Sequence, residues 1–587
     1  MSLSIDLSDD LSNGNLKVLD DLTSSVKQIQ DDVLKEILTL NADIEYLHRF
    51  LHGSSDKDLF TTNVPVVTYE DLKPYIDRLA NGEPSDILSA LPICGFFLSS
   101  GTSGAKQQML PQNDKYLENM RFVYDLRSLI ISKHFEGVEQ GKGMLFLFTR
   151  QDSTTSSSCL PATTVTTSFF KSKYFRDRPS YWYNSYTSPD EVIWCPDNKQ
   201  SLYCHFLCGL VQRDDVVRLG AIFASVMIRA ITFLETFWKE LCSNIRSGQL
   251  SEWITDLSCR ASVSIILGGP NPELADFIEH KCSQKSWEGI LRQLWPNAKF
   301  IEGVFTGQIA QYIPTLDFYS NKLPLVTTSY GSSETFFGTS LNPLSKPQDV
   351  AYTFIPNIAY FEFSPVDKDN NNELVQLADV KLGYYYSPVV TTYSGLYRYK
   401  VDDILEVTGF HNNAPQFKFA QRKNVVLSIQ TEATTEVNLL KAVTNAKLVL
   451  ESSDFMLLDF TSYAEISSAP GHYVLYWELK TKNNGTSKLD DKVLVECCYV
   501  VEESLNAFYR KERTKDGSFG DQKKKKKHGS IGALEIRVVQ NGTFDELMDF
   551  FVSRGGSITQ YKTPVCIKSI EALAVLKHIL LTAGRRR

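Results

Sequence analysis

With 587 residues the chain exceeds what one hydrophobic core can organise, and length alone predicts about two to four domain-sized units. Its 61 basic and 69 acidic side chains leave a net charge of −8, which excludes the cationic bias of proteins that hold nucleic acid or anionic membrane. The eleven cysteines, odd in number and without a Cys-x-x-Cys pair, predict reduced thiols rather than a disulfide framework, and the nine histidines show no metal-ligand spacing.

In chain order, Met1-Ser2-Leu3-Ser4-Ile5-Asp6 has neither a basic region nor a long apolar core, so no signal peptide and a cytoplasmic location are expected. Leu19, Leu22, Val26, Ile29, Val33 and Ile37 recur at three- and four-residue steps and predict an amphipathic helix. Gly95-Phe96-Phe97-Leu98 predicts a buried strand, Met144 to Phe148 another, and the segment after Leu219 a helix. The longest apolar stretch, Leu219 to Leu234, contains Arg229 and is short for a membrane span, so a core helix is expected. Strand-like runs alternate with helical ones as far as about residue 425, which predicts an α/β architecture with mixed sheets whose strand ends bind ligands.

Near residue 428 the texture changes. Asn424 to Ile429 predicts a strand, and the polar Gln430-Thr431-Glu432-Ala433-Thr434 predicts a hinge. The expected division is a large N-terminal domain, 1–428, with mixed β-sheets flanked by helices, and a smaller C-terminal α+β domain, 429–587. Strands are predicted in the latter at His472 to Leu479 and at Ala533 to Val539, with the self-repelling run Lys523 to Lys527 a solvated loop.

Three segments carry chemistry. Ser99-Ser100-Gly101-Thr102-Ser103-Gly104 follows the strand at Gly95 to Leu98, and glycines with hydroxyls offer backbone N–H groups and short donors to an anion. Such runs alone are mostly ordinary loops. Tyr330-Gly331-Ser332-Ser333-Glu334-Thr335 follows the apolar Leu325 to Thr328, and Gly395-Leu396-Tyr397-Arg398-Tyr399-Lys400-Val401-Asp402-Asp403 lies between two strand-like runs.

In that order the three segments resemble the adenylate-forming enzymes of the firefly-luciferase superfamily. More closely they resemble the plant Gretchen Hagen three family of acyl-acid amido synthetases, on which Leu294-Trp295-Pro296-Asn297, Thr306-Gly307 and Gln560-Tyr561-Lys562-Thr563-Pro564 also agree. The resemblance spans nearly the whole chain. It implies a mobile C-terminal domain, ATP and Mg²⁺ as cofactors, and a carboxylic acid joined to an amino acid through an acyl-adenylate. The partners are then small molecules, with neither nucleic acid nor membrane, and a monomer is expected. It also implies that Ser99, Ser100 and Thr102 hold phosphates, that Ser329, Tyr330, Gly331, Ser332 and Ser333 line the nucleotide, and that Asp403 accepts from the ribose hydroxyls. Glu334, an anion aimed at an anionic ligand, makes sense as an indirect Mg²⁺ ligand. Lys562 would reach the phosphates in one domain orientation.

For the acid, Tyr116 to Arg127 resembles the helix lining the family's acyl pocket, closest to its benzoate- and auxin-related branch. Tyr124 would wall the ring, Arg127 would fork onto the acid's carboxylate, and Ile222 and Ser329 would complete the pocket. The chain departs from the family pattern where Asp402 replaces glycine, Ala433 the hinge lysine, Val565 an arginine, and Gln108 a lysine. These departures raise the alternative of a weakened paralog that binds nucleotide or acyl acid and sequesters it. An acyl-CoA ligase shares the first half-reaction, but the Ser-Ser-Gly-Thr-Ser-Gly and Tyr-Gly-Ser-Ser-Glu text argues against it.

Overall fold

The computed structural model of the protein describes residues 16–99, 107–150, 153–154, 160–366, 373–422, 425–429, 432–483, 489–514, 531–554, 556, 558, 561–577 and 580–585. The predicted loop at Lys523 to Lys527 and the hinge residues Gln430 and Thr431 lie outside them.

The apolar stripe that predicts one first helix forms two, α1 (Lys17–Ser24) and α2 (Val26–Asn41). They break at Ser25, whose φ of −116° and ψ of 32° leave the helical region. The stripe still buries Leu19, Leu22, Val26, Val33 and Ile37. β1 (Gly95–Leu98) pairs antiparallel with β2 (Met109–Gln112). α3 (Asp114–His134) follows, started by Asn113, whose side chain accepts the Tyr116 N–H at 3.3 Å.

Four strands form a parallel sheet in chain order: β3 (Lys142–Phe146), β4 (Val216–Phe223), β5 (Phe300–Val304) and β6 (Leu325–Val326). A strand covered on both faces is a continuous apolar run, and this corrects one expectation. Leu219 to Phe223 is the end of β4, and helix α4 (Ala224–Ser247) begins only after Phe223, held extended at φ −122° and ψ 144°. α4 stops at Gly248, left-handed at φ +69°, whose N–H donates to Asn244 O at 2.8 Å. Gly220 lets β4 and β5 meet, because a Cβ there would stand 2.3 Å from Glu302 O.

Beyond α5 (Ile313–Ser320), a nine-stranded sheet with antiparallel ladders occupies the region from Ser329 to Arg422. It includes β7 (Ser329–Gly331), β8 (Phe336–Thr339) and β9 (Asp403–His411). The last region holds α6 (Glu436–Glu451), α7 (Thr543–Ser553) and a four-stranded sheet. Its strands are β10 (Phe455–Glu465), β11 (His472–Thr481), β12 (Glu535–Val539) and β13 (Leu580–Arg585), parallel only between β11 and β12.

β10 serves two cores. Met456 and Leu458 pack into the core around the parallel sheet, while Leu457 and Phe460 belong to the core of the C-terminal sheet. Alternation along a strand sends neighbours to opposite faces, with an irregularity between Leu457 and Asp459 adjusting the phase. Among the described residues no helix is long and apolar enough to cross a membrane.

Candidate active site

In open α/β sheets ligands sit outside the carboxyl ends of the strands. Here β4 ends in Ile222 and Phe223, β5 leads to Thr306-Gly307, and β6 leads through Thr327-Thr328 to Ser329. Ser329 Oγ is buried and has no hydrogen-bond partner among the described residues. An orphaned hydroxyl at these strand ends suits a ligand's polar group.

Tyr330, the next residue, donates its hydroxyl to Asp403 Oδ2 at 2.6 Å. Its ring stacks on Phe337 with centroids 4.6 Å apart and planes 20° off parallel. Asp403, first residue of β9, is 3% exposed. The glycine-serine turn is built by local bonds: Ser332 N–H donates to Thr335 O at 2.9 Å, and Ser332 Oγ accepts the Glu334 N–H at 3.3 Å. Tyr116 on α3 clamps the turn by donating to Ser332 O at 2.8 Å. Gly331 is exposed, while Ser333 and Glu334 are half-buried. Burial pushes the Tyr116 and Tyr399 hydroxyl pKa values up, and the charge of Glu334 adds to both shifts.

Ser99, just after β1, bonds to the residues just before β2. Its Oγ accepts the Gln108 N–H at 2.9 Å, its N–H donates to Gln108 O at 2.9 Å, and Gln107 Nε2 donates to its carbonyl at 2.9 Å. Ser100 and Thr102 lie outside the described residues.

The third motif divides by role. Arg398, held at a positive φ of 47°, forks onto Glu362 with two bonds of 2.9 Å. It also donates to Thr61 O at 2.6 Å and Val64 O at 2.8 Å, while Tyr397 donates to Leu88 O at 2.8 Å. Tyr397 and Arg398 therefore fasten the N-terminal helices, and Asp403 is the part that meets Tyr330.

Tyr124, Ile222 and Tyr330 pack against one core with Phe97 and Leu147. The Tyr124 ring stacks on Phe169, centroids 4.9 Å apart and planes 10° off parallel. Arg127, one turn along α3, lies over the Tyr124 ring at 4.8 Å and pairs with Glu302. Glu302 also accepts from Arg218 Nη1 at 2.9 Å and from the Tyr183 hydroxyl at 2.6 Å. Burial opposes ionisation of Glu302, but Arg127 and Arg218 outweigh it and hold the carboxyl below its usual range. The sequence reading expects Arg127 to meet a substrate carboxylate; the structure gives the guanidinium a partner of the protein's own.

Lys562 is half-buried, its Nζ 4.6 Å from the centroid of the Phe223 ring. The departures from the family pattern are accommodated. Asp402 and Ala433 are exposed, the Ala433 carbonyl accepts from Asn506 at 2.8 Å, and Val565 is 5% exposed in the C-terminal core.

Sequence reasoning missed Glu302, Arg218 and Tyr183. The available signal was a charge inside an apolar strand, Glu302 in Phe300-Ile301-Glu302-Gly303-Val304 and Arg218 in Val216-Val217-Arg218-Leu219. Such a charge must be paired where it lands.

Family models match three consecutive stretches: the GH3 family N-terminal domain at 15–325, its central domain at 352–422 and its C-terminal domain at 437–571. The chain is 61% identical over 566 residues to the 4-substituted benzoates-glutamate ligase GH3.12 of Arabidopsis thaliana, covering 96% of both chains. It is 52% identical to the indole-3-acetic acid-amido synthetase GH3.17 of the same plant, covering 96% of this chain and 94% of that one. Among solved structures, AtGH3.15 acyl acid amido synthetase in complex with 2,4-DB matches with a TM-score of 0.88 and 50% identity over 97% of each chain. On these matches, and with the Tyr330 and Asp403 segments brought together by the fold, the chain belongs to the GH3 family.

Proposed function

We propose that the protein is an ATP-dependent acyl-acid amido synthetase that joins a small aromatic acid, of the 4-substituted benzoate class, to glutamate. The acid and acceptor follow the relative that is 61% identical, which is named a 4-substituted benzoates-glutamate ligase. The observation that carries the reading is the Tyr330–Asp403 hydrogen bond of 2.6 Å, which unites two motifs that share no local structure.

A free carboxylate resists amines because its oxygens leave poorly. Transfer to AMP supplies a leaving group, with pyrophosphate released, and the amine of glutamate then displaces AMP to form the amide. Asp403, oriented by Tyr330, accepts from the ribose hydroxyls. Ser99, Ser100 and Thr102 offer donors to the phosphates, with the orphaned Ser329 hydroxyl at the junction of nucleotide and acid. Gly331, Ser332 and Ser333 line the same turn. Glu334 would hold Mg²⁺, which neutralises phosphate charge when bound. Tyr124 and Ile222 wall the aromatic ring, and Arg127 supplies positive charge for the acid's carboxylate. Lys562 stabilises negative charge developing on the leaving group. We place the division between the domains at 428/429, with the C-terminal one moving between half-reactions, and assign the enzyme to the cytoplasm.

Pyrophosphate exchange into ATP, measured across a panel of substituted benzoates and indole acids, tests this reading before any acceptor is added. Exchange that depends on a benzoate supports it. Exchange on indole acids alone would move the acid to the auxin class, and none on any acid would overturn the reading.

A further inference from the structure

Arg229 is the one charge in the apolar stretch from Leu219 to Leu234, and it lands against the C-terminal region. Its Nε pairs with Asp545 Oδ1 at 3.1 Å and its Nη2 donates to Phe544 O at 3.2 Å. Nη2 also lies 3.9 Å from Asp459 Oδ2, and the guanidinium sits over the Tyr561 ring at 4.7 Å. Asp459, 6% exposed on β10, accepts from Thr563 Oγ1 at 2.6 Å and from the Tyr312 hydroxyl at 2.9 Å. One turn before Arg229, Ser225 Oγ donates to Tyr561 O at 3.3 Å. The residues on both sides of Lys562 are therefore tied to α4 or to the carboxylate facing it. Phe223, which lies under the Lys562 ammonium, immediately precedes α4.

We propose that Arg229 is a positioning residue: together with Asp459 it seats the Tyr561–Thr563 segment on α4 and so sets where the Lys562 ammonium stands during adenylation. This rests on the amido-synthetase reading above. Apolar packing through Met456 and Leu458 holds the two regions together but is non-directional. The Arg229 guanidinium is fixed more narrowly, by its hydrogen bond to Phe544 O, its ion pair with Asp545 and its contact with the ring of Tyr561, the residue before the lysine. The rest of the contact is held independently. Lys480 of β11 pairs with Glu235 of α4, Thr315 donates to Leu457 O at 3.3 Å, and Lys447 donates to Gln311 O at 2.6 Å. Removing Arg229 should thus loosen the lysine segment without releasing the C-terminal region.

The test is a double-mutant cycle in the full-length enzyme between Arg229→Met and Lys562→Ala, read by pyrophosphate exchange on a 4-substituted benzoate. Arg229→Met should lower the exchange kcat roughly tenfold with KM for ATP and acid little changed, the size expected for a catalytic group displaced by a fraction of an ångström. In the Lys562→Ala background the same change should cost nothing further, and Arg229→Lys should recover part of the rate. Losses that multiply in the double variant would overturn the proposal, as would a rise in both KM values at unchanged kcat. Hydrogen exchange across the Tyr561–Thr563 segment provides a readout independent of activity. Protection there should fall in Arg229→Met, and in Asp459→Asn should the first variant not fold. Unchanged protection would overturn the seating, whereas lost protection in a protein without any exchange activity would overturn only the amido-synthetase reading.

Discussion

Two of the inward-facing arginine clusters among the described residues have opposite charge balance. Inside the N-terminal region, Arg127 and Arg218 share one carboxylate, Glu302. Between that region and the C-terminal one, the single Arg229 faces two, Asp459 and Asp545. The first cluster is held within one sheet and one helix, and its two guanidinium groups converge on a single carboxylate of that sheet, which suits a fixed wall. The second spans pieces distant in sequence and its Asp545 is half-exposed, with a side-chain exposure of 45%. It can open at moderate cost, which suits a joint.

The sharpest way to break the comparison is Glu302→Gln. It removes the negative charge that Arg127 and Arg218 share, and breaking a buried pair typically costs about 3–5 kcal/mol. Denaturant unfolding should show a loss of that order, far larger than for Arg229→Met; equal losses would erase the distinction between wall and joint. Asp403→Ala leaves both clusters intact and should cost nucleotide binding about 1.5–3 kcal/mol, the worth of a hydrogen bond to a charged group. Calorimetry giving wild-type affinity for the nucleotide would remove Asp403 from the site.

How much of this was legible in the sequence differs between the regions. The Tyr-Gly-Ser-Ser-Glu segment was legible as a turn because such a turn needs its residues in a row. Strand β1 was legible because a short apolar run bounded by turn residues has few alternatives. The boundary between β4 and α4 was not, since both are continuously apolar there and periodicity cannot separate them. Arg398 stood inside a functional motif yet serves the scaffold. Glu302, Arg218 and Arg229 acquire their meaning only from tertiary pairing, over 84 residues between Arg218 and Glu302, and their sole trace in the sequence is a charge where none is cheap.

Arg127→Ala sharpens the wall from the other side. Glu302 keeps Arg218, so the fold should suffer less than in Glu302→Gln, while affinity for the acid should fall roughly tenfold, about 1.4 kcal/mol, with that for ATP unchanged. Steady-state kinetics in which both affinities fall equally would point to a folding defect instead.

The last effect, read as a slope per pH unit, concerns the joint's supporting helix. Glu478 accepts the Gly542 N–H at 3.0 Å and the Phe544 N–H at 2.9 Å at the start of α7, and burial pushes its pKa up to about 7. The folded protein then binds a proton that the unfolded chain has released between pH 4.5 and about 7. Stability should fall as pH rises through that window, by less than about 1.4 kcal/mol per pH unit. Glu478→Gln should flatten that part of the slope, and an unchanged slope would assign it to other groups.

The most direct test of the whole account is product stoichiometry. Purified protein with ATP, Mg²⁺, a 4-substituted benzoate and glutamate should yield the benzoyl-glutamate amide by mass spectrometry, with one AMP and one pyrophosphate per amide. Formation of ADP in place of AMP, or AMP without any amide across the acids that support exchange, would contradict it.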